Sequence, residues 1–334
     1  MTAPLVSVKM ITYNHAPFIV QAIEGVLQQK TNFPFELVIG EDCSTDGTRE
    51  IVFAYQRRYP DIIRIITSDS NVGMKTNGLR TRKACRGKYV AVCEGDDWWQ
   101  HPLKLQKQVD YLETHPDCGM VHSNYDVYHE SSKVLTKDYM NYRKFEVPQK
   151  PDIIDIIVRC RISFRIQACT AIFRNALCEE IIESDPYLHQ SGHFLMGDTQ
   201  LWAELAIKSG IAYIPESLAT YRLLDESASR SKDRKKSWRF EQSDCEMKLY
   251  LCDKYDLSKG IRRERELAWC KHSLRLAFHE GKASLAQEVK EKKGSLTLRE
   301  WFLYVGARYK IIQHIFTNAV YFRDLIKGRS NADA

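Results

Sequence analysis

The sequence predicts an α/β fold, with a doubly wound, mainly parallel sheet followed by a helical C-terminal region. Three observations predict it. Short apolar runs of strand length alternate with segments whose apolar residues recur at helical spacing. The acidic and polar clusters fall just after the apolar runs, where open α/β sheets bind their ligands. Beyond residue 230, helical periodicity runs on with few breakers.

Taken in order, Val6–Ile11 reads as a first strand and Thr12-Tyr13-Asn14-His15 as the loop after it. Ala16 to Gln29 carries Phe18, Ile19, Ala22, Ile23, Val26 and Leu27 at helical spacing. Phe35–Ile39 is a second strand, running into Glu41-Asp42-Cys43-Ser44-Thr45-Asp46-Gly47-Thr48 and a helix to about residue 58. Ile62–Ile66 is a third strand, Asn71-Val72-Gly73 a turn, and Tyr89–Cys93 a fourth strand. Gly192–Gly197 reads as a loop, and Asp198 opens a helix with Leu201, Trp202, Leu205 and Ala206 on one face. Ile211–Pro215 is a further strand, followed by Tyr221-Arg222. Helices are expected over 235–255 and 261–279, and 297–327 is strongly apolar with basic residues interspersed, which suits either an interfacial segment or a packed core helix pair.

The stretch Glu94-Gly95-Asp96-Asp97 carries most of the chemical information. Carboxylates crowded at a strand end repel one another unless a cation offsets them. Mg²⁺ and Mn²⁺ take oxygen ligands and commonly bridge carboxylates to a substrate diphosphate. The bland alternative is an acidic turn with Asp97 capping a helix. Tyr13 offers a ring to a flat base, and Asp42 an acceptor to a base N–H. Asp46 is the better fit to a helix cap at Ser44–Thr48. Lys75 and Arg82 are placed on a helix, where exposed charge is the common explanation. Asp198 by itself reads first as an N-cap. His189 and His193 lie in or near its loop.

These residues together resemble family 2 glycosyltransferases of the GT-A fold, of the kind that builds bacterial surface glycans. The resemblance rests on Thr12-Tyr13-Asn14, Glu41–Thr48, Asn71-Val72-Gly73, Arg86-Gly87-Lys88-Tyr89, Glu94–Trp99, Gly197–Trp202 and Tyr221-Arg222, in that order. It covers about residues 4–230. It implies a Rossmann-like mixed sheet, a nucleotide-sugar donor and an inverting displacement. It assigns nucleoside contacts to Thr12, Tyr13, Asn14, Asp42 and Asn71, with uracil as the base. Metal ligation goes to Glu94, Asp96 and Asp97, with Asp96 also at the nucleotide. Glu94 stands where the family usually has Asp, and offers a carboxylate one methylene longer. Asp198 becomes the general base, because an acceptor hydroxyl needs one. Arg222 and Arg230 become diphosphate contacts in a segment that closes over the donor, since guanidinium suits phosphate oxygens.

The expected organisation is a catalytic domain over 1–230, with a nucleotide-sugar-binding half (1–117) and an acceptor-binding half (118–230), then a basic helical region over 231–334. A chain of 334 residues is long enough for both. Ten cysteines without a Cys-x-x-Cys pair suit buried thiols in a reducing compartment. No signal segment precedes the first strand, and no apolar run is long enough to span a bilayer. Residues 230–329 hold 24 Lys and Arg against 13 Asp and Glu, so the basic excess belongs to the C-terminal region. Its aromatic residues make peripheral contact with an anionic membrane face one expectation, and an ordinary solvated helix face the other. No nucleic-acid-binding motif accompanies the charge.

The expected activity is therefore metal-assisted transfer of a sugar from a nucleotide diphosphate, with UDP favoured, to a hydroxyl of a glycan or lipid-linked glycan. The cofactor is Mn²⁺ or Mg²⁺, and the expected location is cytoplasmic, peripheral on the membrane face. A nucleotidyltransferase on a related sheet is the rival, but it leaves Asp198 without a role. A non-catalytic nucleotide-sugar-binding scaffold is the third reading, and intact Asp96, Asp97 and Asp198 argue against it.

Overall fold

The computed structural model of the protein describes residues 3–147, 165–227 and 230–309, with 154, 157, 158 and 312. The chain divides into two compact units, Met1–Asp225 and Glu226–Ala334. The first unit is α/β. Its elements are β1 (Val6–Thr12), α1 (Ile19–Leu27), β2 (Phe35–Glu41), α2 (Thr48–Arg58), β3 (Ile63–Ile66), α3 (Met74–Lys83), β4 (Tyr89–Val92) and α4 (Lys104–Thr114). There follow β5 (Cys118–His129), β6 (Val134–Thr136), α5 (Tyr139–Tyr142), β7 (Ile172–Arg174), α6 (Asn175–Ser184), α7 (Pro186–His189), α8 (Thr199–Lys208) and β8 (Gly210–Leu223).

The sheet is mixed, in the order β3-β2-β1-β4-β7-β5-β6, with β8 paired to β5. β1 runs parallel to β2 and to β4. β7 enters antiparallel between β4 and β5, and β8 runs parallel to β5 along its whole length. β4 is buried at every position because helices cover both faces, which is why it reads as an unbroken apolar run. Ile19, Ala22, Ile23 and Val26 form the buried stripe of α1 and join Val8, Met10, Leu37, Ile39 and Ala91 in one core. The strand order reverses between β1 and β4. Their carboxyl ends therefore flank the crevice that such a switch point opens. Thr12 closes one strand and Glu94 follows the other.

One buried charge fastens the amino ends of these strands. Glu36 on β2 accepts from Ser7 Oγ at 2.7 Å, from Arg86 Nη2 at 2.7 Å and from Arg64 Nη1 at 2.9 Å. Burial pushes this carboxyl up, but the bonds from Arg86, Ser7 and Arg64 outweigh it and hold the group below its ordinary value. A depressed carboxyl stabilises the fold above its unfolded pKa, and that stability is lost as pH falls through the folded value. Glu36→Gln is expected to lower stability at neutral pH by about 1–3 kcal/mol. The deficit should shrink in acid, and denaturant titrations across pH check it. A constant deficit would mean that packing, not charge, is at stake.

The second unit contains α9 (Arg234–Lys254), α10 (Lys259–Glu280), α11 (Ala283–Lys293) and α12 (Leu298–Arg308). Its core joins Cys245, Trp269, Leu274, Ala277, Ala286, Val289 and Ala307. α10 ends at Gly281 in the left-handed conformation, φ 65°, and Thr297 with Glu300 forms a capping box for α12. Of the apolar segment expected over 297–327, α12 accounts for Leu298–Arg308. Lys310, Arg323, Lys327 and Arg329 lie outside the described residues. No helix among the described residues is long and apolar enough to cross a membrane. The nine cysteines described are free, and all but Cys43 are buried.

Candidate active site

The acidic stretch leaves β4 stitched to β1: Cys93 N–H donates to Lys9 O and Gly95 N–H to Ile11 O, both at 3.0 Å. Asp97 N–H closes the turn onto Glu94 O at 3.1 Å. One candidate ligand oxygen from each of Glu94, Asp96 and Asp97 lies within 4.8 Å of the others. Gly95 between them admits no side chain. An added Cβ would stand 2.8 Å from Thr12 Oγ1 and 2.9 Å from His15 Nδ1. Among the described residues, neither of those buried atoms has a hydrogen-bond partner.

β8 supports this loop from beneath. Trp98 and Thr220 exchange backbone hydrogen bonds at 3.2 and 2.8 Å. Arg222 N–H donates to Asp97 Oδ1 at 2.8 Å, and its Nε donates to Asp96 O at 2.8 Å. Its two remaining nitrogens reach Glu130 Oε2 and Gln21 Oε1, each at 2.5 Å. The guanidinium lies 4.7 Å from the ring centroids of Phe18 and Trp98. The expected diphosphate contact is therefore a buried brace, with its fork given to protein acceptors. Phosphate oxygens would have to displace those bonds.

The electrostatics record the crowding. Burial, then Asp96, pushes Glu94 up to about 7; Lys9 opposes the shift and Asp198 adds to it. Burial, with Asp96 and Glu94, raises Asp97 well above its ordinary value despite the bond from Arg222 N–H. Carboxylates this close in a low-dielectric site favour either a proton or a cation between them. Three hard oxygen donors on one short loop fit a divalent ion of the Mg²⁺ or Mn²⁺ type.

Asp198, about a hundred residues away in sequence, lies near enough for its charge to add to the upward push on Glu94. Asp198 is exposed and is the N-cap of α8, accepting from Thr199 N–H at 2.7 Å. The N-cap reading of Asp198 thus holds. Lys75 ties the preceding loop to α3 through Phe194 O at 3.3 Å. His189 is buried against Glu204, and His193 is exposed.

On the nucleoside side, the loops after β1 and β2 are laced together. Asn14, at φ 54°, donates from its N–H to Ser44 Oγ and accepts from Thr45 N–H through Oδ1. Asp46 accepts from Thr48 N–H and from Ala16 N–H, so it ties the neighbouring loop to the head of α2, whose N-cap position is Gly47. Asp42 is buried, and its two oxygens receive Val72 N–H at 2.9 Å and Gly73 N–H at 3.0 Å. Asn71 bonds Asp42 O and Gly73 N–H. Tyr13 stands 45% exposed beside this frame, its ring open to a flat partner. Arg230 falls in the second unit, in a bridge with Ser227.

Sequence reasoning missed Lys9 and the brace partners Gln21 and Glu130. Lys9 had a signal: a charged residue inside an otherwise apolar strand. Gln21 and Glu130 had none, since their pairing with Arg222 is purely tertiary.

The model for glycosyl transferase family 2 matches residues 7–179. An uncharacterized Mycobacterium tuberculosis protein is 32% identical over 269 residues, covering 78% of this chain and 70% of the relative. TuaG of Bacillus subtilis, named for teichuronic acid biosynthesis, is 27% identical over 238 residues, 70% of this chain and 86% of TuaG. Among solved structures, Staphylococcus aureus TarS residues 1–349 with UDP-GlcNAc aligns with a TM-score of 0.55 and 17% identity, covering 90% of this chain and 79% of that one. The Pyrobaculum calidifontis mannosyltransferase PcManGT, with GDP-Man and Mn²⁺, aligns with a TM-score of 0.52 and 15% identity, covering 94% and 87%. The fold is the GT-A fold, and the chain belongs to glycosyl transferase family 2, as a glycosyltransferase.

Proposed function

We propose that the protein transfers a sugar, with inversion, from a UDP-linked donor to a hydroxyl of a glycan or lipid-linked glycan at the cytoplasmic membrane face. The observation that carries this reading is the cluster of Glu94, Asp96 and Asp97 carboxylates at the β1–β4 switch point, with Asp198 near enough for its charge to help raise Glu94. A divalent cation held by those carboxylates would supply counter-charge to the departing nucleoside diphosphate. Asp198, exposed at the head of α8, takes the proton of the acceptor hydroxyl. Tyr13 lies against the base, with Thr12, Asn14 and Asn71 shaping the nucleoside pocket. Arg222 holds the acidic loop in place. TarS and PcManGT, solved with UDP-GlcNAc and with GDP-Man and Mn²⁺, support a nucleotide-sugar donor and a metal.

Thermal shift across a panel of nucleotide sugars, with and without Mn²⁺, tests this. A ligand at a hundred times its Kd stabilises by about 2.7 kcal/mol. UDP-sugars are expected to raise the melting temperature only when Mn²⁺ is present. Stabilisation by no donor would overturn the reading.

Asp42 adds a separable prediction. Asp42→Ala frees the Val72 and Gly73 N–H groups and is expected to weaken UDP binding by about 1–3 kcal/mol, through a collapsed turn or a lost base contact. Metal dependence should persist, because Asp42 is not among the cluster carboxylates. Calorimetry of UDP at several Mn²⁺ concentrations checks both parts.

A further inference from the structure

His15 bridges two parts of the site. Its neighbour Asn14 is laced to Ser44 and Thr45 in the loop after β2. Its own ring reaches the loop after β4, where Nδ1 stands 2.9 Å from the place that a Cβ on Gly95 would take. Gly95 lies between Glu94 and Asp96. His15 therefore stands between the nucleoside frame and the acidic cluster. A nucleotide with its base on the one and its cation on the other must pass its diphosphate between them.

The loop holds this residue firmly. His15 N–H donates to Thr48 Oγ1 at 2.8 Å, and its carbonyl accepts from Phe18 and Ile19 N–H at 2.8 and 2.9 Å. The ring leans on Phe18, with centroids 6.4 Å apart and planes at 58°. Its two nitrogens meet different surroundings. Nδ1 is walled in at Gly95, with Thr12 Oγ1 on the same glycine, and Thr12 is 2% exposed. A proton on Nδ1 would be a buried donor without an acceptor, which folded proteins rarely leave. The proton of the neutral ring therefore sits on Nε2. Nε2 is not enclosed in this way, and the described residues give it no acceptor. The ligand atoms that meet in the cluster are those of the three carboxylates, without His15. The imidazole is thus left to serve an anion and not the cation.

We propose that His15 Nε2–H binds a phosphate oxygen of the donor's diphosphate beside the acidic cluster. A neutral N–H suits that place. The carboxylates and a cation already set the charge there, and a hydrogen bond to an anionic oxygen strengthens binding without adding another ion. The inference rests on the reading of a UDP-linked donor and extends it to the residue that meets the phosphates.

The test is calorimetry of UDP and of uridine, with Mn²⁺, on three forms of the full chain. His15→Asn places an amide only where the walled-in Nδ1 stood, whereas His15→Gln reaches the position of Nε2 with an N–H. His15→Asn is expected to weaken UDP binding by about 10–100-fold, the usual effect of losing a bond to a charged group. It should leave uridine binding and the melting temperature unchanged, and His15→Gln should stay close to wild type with both ligands. Unchanged UDP affinity in His15→Asn would overturn the proposal. So would rescue by Asn and not by Gln, or an equal loss with uridine, which would assign His15 to the nucleoside. If wild type itself binds no UDP, the nucleotide reading fails and this inference falls with it; wild-type binding without loss in His15→Asn removes this inference alone. Should the Asn variant fail to fold, nitrogen NMR of the wild-type imidazoles with Mg²⁺ decides. UDP should then move the His15 Nε2 resonance, and an unmoved resonance would overturn the proposal.

Discussion

Asp198→Asn is expected to leave donor binding intact and to lower sugar transfer by about 10²–10⁴-fold, the usual contribution of a general base. The structure makes this substitution cleaner than its alternatives. Asp198 caps α8 by accepting from Thr199 N–H, and Asn is as good a cap as Asp. The amide therefore preserves the helix start and removes only the ability to take a proton at neutral pH. Asp198→Ala would confuse the two roles, since losing the cap alone costs about 1 kcal/mol. Asn leaves the three cluster carboxylates in place, so metal-dependent UDP binding should persist while turnover collapses. Retained turnover with bound UDP would assign Asp198 to capping alone.

Asp96→Ala is expected to abolish Mn²⁺-dependent binding of UDP while the fold survives. Among the three cluster carboxylates it isolates the charge best. Asp97 is buried and receives Arg222 N–H, so its removal also loosens the brace under the loop. Asp96 receives Arg222 only at its backbone carbonyl, which the substitution leaves in place. Losing one carboxylate removes an oxygen ligand and a large part of the field that would draw a divalent ion to the site. Calorimetry of UDP with and without Mn²⁺ reads the effect directly. Wild-type metal dependence in Asp96→Ala would withdraw the cluster as the metal site.

The legible parts of the fold are those where local pattern and tertiary environment agree. β1, β2 and β4 lie in the covered interior of the sheet and read as apolar runs, and α1 shows its single buried stripe. β5 did not read as a strand because His122, Ser123, Asn124 and Asp126 interrupt it. Those groups are satisfied only in three dimensions. Asn124 Oδ1 accepts from Tyr125 and Met140 N–H, and Asp126 Oδ1 from Asp138 N–H and Ser217 Oγ. β7 is three residues long and is defined by its two neighbours rather than by its own sequence. β8 was read only over Ile211–Pro215. Its continuation to Leu223 depends on pairing with β5.

The site divides the same way. The acidic cluster was visible because three carboxylates in four positions after an apolar run have few purely structural explanations. Arg222 was visible as a residue but not in its role. A guanidinium near phosphate-binding loops suggests a phosphate contact, whereas burial among Phe18, Trp98, Gln21 and Glu130 turns it into a support. Asp42 likewise reads as a ligand contact by position, and the structure adds the Val72–Gly73 turn as what it holds.

The most direct measurement of the central claim is product analysis after incubating the protein with a UDP-sugar, an acceptor glycan and Mn²⁺. The account predicts release of UDP matched by a new glycosidic bond of anomeric configuration opposite to the donor's. Both should vanish with EDTA and with Asp96→Ala, and fall by about 10²–10⁴-fold with Asp198→Asn. Release of pyrophosphate in place of UDP, or a product that keeps the donor's configuration, would contradict it.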